Sequence, residues 1–285
     1  MLNNFPIKIL EVIPERLCEI PKPPKQLFIR GSMPDDTLAY LAIVGSRKYT
    51  PYGKEVCKRL IEGLRGYPIV VVSGLALGID SIAHEAALSA GLRTIAIPGS
   101  GLDEKVLYPG THINLAKRIL DSGGCLISEY DRDQMAAPWT FPQRNRIMAG
   151  LSNAVLVIEA EKKSGTMITA RLATEYNRDV LAVPGSIFSN TSEGTHLLIR
   201  LGATPVTKSE DILETLGIKF ENKSARQYED CGDEELEVIE VLSSPKSREE
   251  ICDALNISAQ KLGSILTLLE IKGVVKESVG KIYLA

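Results

Sequence analysis

The chain has 285 residues, 44% of them hydrophobic and 24% charged, enough for one large domain or for a large and a small one around an ample core. That composition, with 23 glycines, excludes collagen-like, coiled-coil and wholly disordered chains. The 33 bases against 36 acids give a net charge of −3, which excludes a general polycation, so any nucleic-acid binding must come from a local basic groove.

Residues 1–37 hold Pro21, Pro23, Pro24 and Pro34. Proline neither donates to a ladder nor continues a helix, so this stretch predicts an extended arm, an ordered leader lying on the body. A short strand at 27–30 is the alternative. No apolar signal region is present, and no apolar run approaches the roughly 18 residues of a membrane span. The five cysteines, Cys18, Cys57, Cys125, Cys231 and Cys252, are odd in number, far apart and without a CxxC pair. They predict neither a disulfide framework nor a zinc knuckle, and a reduced, cytoplasmic protein.

From 41 to 207 short apolar, β-branched runs alternate with helical stretches. The runs are 41–44, 69–72, 94–97, 125–128, 154–159, 180–183 and, weakly, 204–207. Helices fit 53–65, 79–90, 111–121, 144–151, 166–177 and 193–202. Continuous rather than alternating hydrophobicity means strands buried on both faces. The prediction is an α/β fold: a Rossmann-like, mostly parallel sheet with helices on both faces, over 38–217.

Residues 218–232 are polar and pattern-poor and read as a linker. Residues 233–285 fit three helices (233–243, 247–255, 258–271) and two strands (273–277, 280–284), with the turn at 278–280. That is the outline of a small C-terminal winged helix. Ser247 with Glu250 has capping-box spacing, and Ser258 is placed to cap the third helix.

In such a sheet, ligands bind beyond the carboxyl ends of the strands. Four glycine-bearing turns fall there: Gly45-Ser46-Arg47, Ser73-Gly74-Leu75-Ala76-Leu77-Gly78, Pro98-Gly99-Ser100-Gly101 and Lys162-Lys163-Ser164-Gly165-Thr166. Glycine lets backbone approach a phosphate, and free N–H groups at helix starts attract anions. None of the turns matches G-x-G-x-x-G or G-x4-G-K-[ST], so neither a soluble dinucleotide cofactor nor a P-loop ATPase is expected.

The stretch 138–151 sets the chain's only tryptophan and a phenylalanine beside Arg144, Asn145 and Arg146. Aromatic faces next to guanidinium donors suit an unstacked base and its phosphate. Trp139 alone reads as a core anchor, and Asn145 has the alternative of capping the helix. Arg47, directly after a strand, would face the ligand crevice. Asp80 and His84, four apart, read as a structural hydrogen-bonded pair rather than metal ligands. His112 and His196 are assigned nothing. Ser73 and Ser164 lack an evident base for a catalytic triad.

These residues fall into ordered motifs. They are Ala42-Ile43-Val44-Gly45-Ser46-Arg47, Val72-Ser73-Gly74-Leu75-Ala76-x-Gly78-Ile79-Asp80, Pro98-Gly99-x-Gly101-Leu102-Asp103 with Tyr108-Pro109, Ser128-Glu129-Tyr130, Phe141-Pro142-x-Arg144-Asn145-Arg146-Ile147, and Ser164-Gly165-Thr166-x-x-Thr169-Ala170. Over about 30–217 the chain resembles the DNA-processing protein A family (DprA, also called Smf). The resemblance implies a non-enzymatic, homodimeric protein that binds and protects incoming single-stranded DNA and helps load RecA recombinase during natural transformation. It implies DNA contacts at Ser46, Arg47, Phe141, Arg144, Asn145 and Arg146, with Ser164, Gly165 and Thr166 as an anion-binding turn. Lys163 joins them on charge and position. Many members carry an N-terminal helical domain, for which residues 1–37 are too short. Members often have a base before the Phe-Pro pair, where this chain has Thr140, so one phosphate contact is expected to be missing or supplied by a neighbour.

Residues 233–285 carry six bases against ten acids, a net of −4. The third helix offers only Lys261 near its start, so no autonomous duplex reader is expected. The competing expectation for the whole chain is a phosphoribohydrolase-like nucleotide enzyme, with Glu175 after the Ser164-Gly165-Thr166 turn as the acid. A third is a ligand-sensing transcription factor, against which the acidic small domain counts.

Overall fold

The computed structural model describes residues 2–220, 231–242, 245–278 and 280–284. The chain divides into two compact units, 1–219 and 220–285. Most of the expected linker, 221–230, lies outside the described residues.

The first unit is built on a nine-stranded sheet that runs from β1 (Lys8–Ile9) and β2 (Phe28–Gly31) through β6-β5-β4-β3-β7-β8-β9. Its parallel body comprises β3 (Ala39–Val44), β4 (Ile69–Ser73), β5 (Arg93–Ala96), β6 (Cys125–Ser128), β7 (Ala154–Val157), β8 (Asp179–Ala182) and β9 (Thr204–Pro205). β4 pairs with one edge of β3 and β7 with the other, so the strand order reverses at β3. This reversal opens a crevice beyond the carboxyl ends of β3 and β7.

Successive residues of each strand serve opposite faces. Tyr40, Ala42 and Val44 join Val70, Val72, Ile95 and Val155 in one core, which α5 (Thr140–Leu151) and α6 (Gly165–Glu175) cover with Met148 and Ala170. Ala96 and Leu126 point the other way, onto α4 (Ile113–Asp121), in a core with Leu115 and Ile119. α2 (Pro51–Glu62) packs on α3 (Ile79–Ser89), which touches α4. α2 starts with Thr50, whose Oγ1 accepts from Gly53 N at 3.1 Å, and with Pro51 in its first position.

The N-terminal arm takes the alternative reading, a strand close to 27–30, rather than that of a plain ordered leader. It contributes β1 (Lys8–Ile9), α1 (Glu15–Cys18) and β2 (Phe28–Gly31). β2 pairs antiparallel with β6 and β1 with β2, adding an antiparallel edge to the sheet. Leu17, Ile20, Leu27 and Ile29 are buried in the same core as Tyr40 and Val72. The prolines interrupt the arm, but its apolar side chains are part of the body.

Three further differences concern boundaries. α5 starts at Thr140 rather than 144, because Pro142 falls in its first turn, where its missing N–H costs nothing. β7 stops at Val157 and Glu159 turns into a cap, accepting from Thr50 N at 2.9 Å. A helix at α8 (Ser209–Thr215), unanticipated, follows α7 (Glu193–Arg200), with Asp211 accepting from Lys208 N at 3.1 Å.

The second unit holds α9 (Asp233–Val241), α10 (Arg248–Leu255), α11 (Ala259–Ile271) and the antiparallel strands β10 (Val275–Ser278) and β11 (Lys281–Leu284). Val238, Ile251, Leu262, Leu269 and Ile282 share its core. Ser247 Oγ accepts from Glu250 N at 3.2 Å and Glu250 from Ser247 N at 2.7 Å, and Ser258 Oγ accepts from Lys261 N at 3.2 Å. Residue 279 of the expected turn lies outside the described residues.

Candidate nucleic-acid interface

The crevice at the sheet reversal is a cleft of ≈ 700 Å³. Three segments wall it: the loop after β3 from Gly45 to Lys48, the start of α5, and the N-terminus of α6. The walls are tied together. Thr166 Oγ1 donates to Gly45 O at 3.1 Å, and Asn145 Nδ2 donates to Gly165 O at 3.4 Å. Ile79 N donates to Ser46 O at 3.2 Å across a close approach at Gly78, whose φ of +88° and lack of Cβ the contact requires.

Arg47 is exposed, and its guanidinium lies 4.9 Å from the centroid of the half-buried Phe141 ring. The other neighbour of that ring is Tyr108, with centroids 5.7 Å apart. A Cβ at Gly99 would stand 2.6 Å from the Phe141 ring, so glycine there is what lets the phenyl sit against the turn. The result is an aromatic surface with a cation on it, open to the cleft.

Beneath it, Arg144 and Asp80 form a buried pair 4.0 Å apart. Arg144 Nη1 donates to Ile97 O at 2.6 Å, and Asp80 Oδ2 accepts from Gly74 N at 3.1 Å. Burial pushes the Asp80 carboxyl above the usual carboxylate range, against the pull of Arg144 and of the Ala76 and Gly74 N–H groups. Arg144 therefore spends one nitrogen on the fold, beneath the cleft floor. Its Nε and the Oγ of Ser164 are buried without a hydrogen-bond partner among the described residues. Both residues line the cleft, and buried polar atoms of this kind are normally satisfied.

The N-terminus of α6 is uncapped by a side chain. Ser164 precedes the helix in extended conformation and its side chain makes no cap bond, so nothing on that side chain covers the first N–H groups. A side chain at Gly165 would meet open space.

The sequence-derived residues thus separate. Ser46, Arg47, Phe141, Arg144, Asn145, Ser164, Gly165 and Thr166 line one cleft. Ser46 uses its hydroxyl within the loop, donating to Lys48 O at 2.8 Å and accepting from Lys48 N at 3.0 Å. Asn145 bridges two helices instead of capping one. Lys163 is exposed and stands outside the lining.

Arg146 is also outside it. Its Nη2 grips both carboxylate oxygens of Glu129, and its Nη1 donates to Lys22 O of the arm at 2.6 Å. Two residues beyond Arg144 on a helix, it points to another side. Trp139, read from the sequence as a core anchor, is 53% exposed. Thr140 is buried, its Oγ1 donating to Gly99 O at 2.5 Å, so the position before the Phe-Pro pair does not face the cleft.

Sequence reasoning missed Lys48, which lines the cleft and whose signal was adjacency to Arg47 in the same loop. It also missed Asp80 as the partner of Arg144. Asp80 and His84 do not bond each other; His84 Nδ1 lies 2.7 Å from Thr94 Oγ1. Among the described residues no group of His, Cys, Asp and Glu could hold a metal ion, and no helix is long and apolar enough to cross a membrane.

Residues 8–217 match the sequence profile of the family described as DNA recombination-mediator protein A. The chain belongs to that family. Among curated recombination-mediator A relatives, Protein Smf of Escherichia coli is 42% identical over 206 residues, which are 72% of this chain and 54% of that one. DNA processing protein DprA of Streptococcus pneumoniae is 43% identical over 203 residues, 70% of each chain. This family member therefore spans about half the length of the first of these relatives and more of the second. In three dimensions, the X-ray structure of the pneumococcal DprA superposes with a TM-score of 0.68 at 38% identity, covering 77% of this chain and 76% of that one. The structure of DprA from Helicobacter pylori, described for its single-stranded-DNA binding mode, gives 0.65 at 35% identity over 76% and 98%. The shared fold is the Rossmann-like α/β sheet.

Proposed function

We propose that this chain binds single-stranded DNA in the cleft at the sheet reversal, without catalysing a reaction on it. The observation that carries the reading is the Arg47 guanidinium lying on the Phe141 ring at the mouth of a cleft whose far wall is the N-terminus of α6. An aromatic face receives a base of any identity, while Arg47, Lys48 and free helix N–H groups receive its phosphates. The binding mode described for the Helicobacter relative supports it. In this reading Ser46, Arg47, Phe141, Arg144, Asn145 and the Ser164-Gly165-Thr166 turn form the contact surface, and Lys163 extends it.

We propose further, with family membership as the support, a cytoplasmic homodimer that protects incoming DNA during natural transformation and helps load RecA recombinase onto it. The second unit is proposed to be a winged helix that serves protein contact or strand positioning rather than duplex reading. Residues 233–285 of it carry a net charge of −4, and Lys261 of α11 is paired with Glu234 at 2.7 Å. The phosphoribohydrolase-like alternative needs Glu175 near the ligand. Glu175 is the last residue of an 11-residue α6, about 15 Å along the axis from the N-terminus that lines the cleft.

Fluorescence anisotropy with a labelled homopolymeric single strand, against a duplex of equal length at two salt concentrations, tests the reading. A salt-sensitive preference for the single strand is expected. Preference for duplex, or no binding to either, overturns it, and the latter directs attention to nucleotide hydrolysis.

A further inference from the structure

Trp139 is the only tryptophan of the chain, and 53% of it is exposed. Large aromatic side chains are usually well buried, so an exposed indole held in place marks a surface suited to receive something. This indole is held in place. It packs edge-to-face on Tyr130, with centroids 5.8 Å apart and planes at 83°. Tyr130 is buried, and its hydroxyl donates to Thr140 O at 2.8 Å, locking it to the first residue of α5. Edge-to-face packing occupies at most one face of the indole and leaves the other open.

The residues on either side of the indole's own position lead to the cleft. Pro138, the residue before it, lines the cleft, and Phe141, two residues after it, carries Arg47. Thr140 between them is turned inward by its bonds to Gly99 O and Ala137 O. Trp139 and Phe141 therefore flank one buried residue at the same helix start, Phe141 on the cleft wall and Trp139 on the neighbouring face of the turn, against Tyr130.

We infer that Trp139 is a second stacking platform, taking a base of the same single strand beyond the one that meets Phe141. This rests on the single-stranded-DNA reading of the cleft. A nucleobase, rather than an apolar protein surface, is the occupant because Pro138, the residue before the platform, lines a cleft whose wall is aromatic and cationic through Phe141, Arg47 and Lys48, within reach of the next bases of a strand bound there. Stacking displaces no counterions, so Trp139 adds affinity without adding to the salt dependence. It also lengthens the footprint, so the gain requires a strand that reaches past the cleft.

The single tryptophan makes the test direct. Full-length protein is titrated with fluorescein-labelled oligothymidylate, and label anisotropy and indole emission are followed together. Quenching of the indole in step with the anisotropy rise is expected. Trp139→Ala should weaken binding about fivefold or more with the salt slope unchanged, and Trp139→Phe, which keeps an aromatic face against Tyr130, should restore most of the loss. A strand that binds while indole emission and Trp139→Ala affinity stay unchanged overturns the second platform and leaves the cleft reading standing. A strand that raises no anisotropy overturns the cleft reading itself. The wild-type emission needs no variant, so a poorly folding Trp139→Ala does not block the answer.

Discussion

The Arg47 guanidinium lies 4.9 Å from the centroid of the Phe141 ring. Residues 94 apart in sequence, one in the loop after β3 and one in the first turn of α5, thus make a single surface. A cation over an exposed ring face is worth about 0.5–1 kcal/mol by itself, and it fixes the guanidinium where a phosphate beside a stacked base would lie.

That contact separates two kinds of loss. Arg47→Ala is expected to weaken single-strand binding and flatten the log–log salt slope by about 0.7, since one phosphate loses its partner. Phe141→Ala is expected to cost about 1–3 kcal/mol with the slope unchanged. Because each side chain positions the other, the double variant should lose less than the two single losses combined. Anisotropy titrations at several salt concentrations decide it, and additive losses would mean the pair does not act together.

Arg146 should behave differently from Arg47, although both are basic residues within the family motifs. Its guanidinium holds Glu129 and the Lys22 carbonyl, tying α5 to the arm. Arg146→Ala is expected to lower stability by about 1–2 kcal/mol, by leaving a part-buried carboxylate without its partner, and to leave the salt slope at its wild-type value. Urea unfolding and the same titrations check both halves. A flattened slope would return Arg146 to the DNA-contacting set.

Thr140→Lys tests whether a base before the Phe-Pro pair adds a phosphate contact to this chain. The Thr140 hydroxyl is buried and bonded to Gly99 O and Ala137 O. A lysine loses those bonds and must leave the interior, so about 1–3 kcal/mol of stability should be lost with no gain in affinity. Tighter binding by Thr140→Lys would show that the start of α5 can turn this position toward the cleft.

His84 predicts an acid-sensitive fold. It is fully buried, and Thr94 Oγ1 donates to Val71 O at 2.9 Å, which leaves His84 Nδ1 as donor to Thr94. Burial pushes its pKa from 6.5 down to about 3, helped by His112 and Arg144. The unfolded chain therefore takes up a proton before the folded one does. The neutral imidazole's stability is complete above pH 6.5 and is lost as pH falls from there toward about 3. Urea midpoints on either side of pH 6.5 should differ less in His84→Gln than in wild type. Equal pH dependence in the two proteins would remove His84 as the cause.

How legible the site was depended on where each residue sits in its element. The strand–helix alternation from 41 to 207 is written in continuous apolar runs, and β3, β4, β6 and β8 fall within two residues of their expected ends. The glycine turns mark strand ends, so Arg47 and the Ser164-Gly165-Thr166 turn could be placed by position. The motif 141–146 was different. It runs as a helix, and a helix turns each residue about 100° from the last, so Phe141, Arg144 and Asn145 reach the cleft and Arg146 does not. Its start at Thr140 was hidden by Pro142, which reads as a breaker unless it lies in a first turn.

The sequence by itself determined the class of fold, the order of its elements and the turns where a ligand would meet the sheet, because period, glycine placement and apolar runs are local properties. Only the tertiary structure decided that the proline-rich arm belongs to the core, through Leu17, Leu27 and Ile29 beside Tyr40. It decided that Arg144 forms a buried pair with Asp80 under the cleft while Arg146 is bound at Glu129. It also left Trp139 in solvent. Side-chain direction and the choice among several charged partners depend on which distant segments arrive at the same place, and no local pattern encodes that arrival.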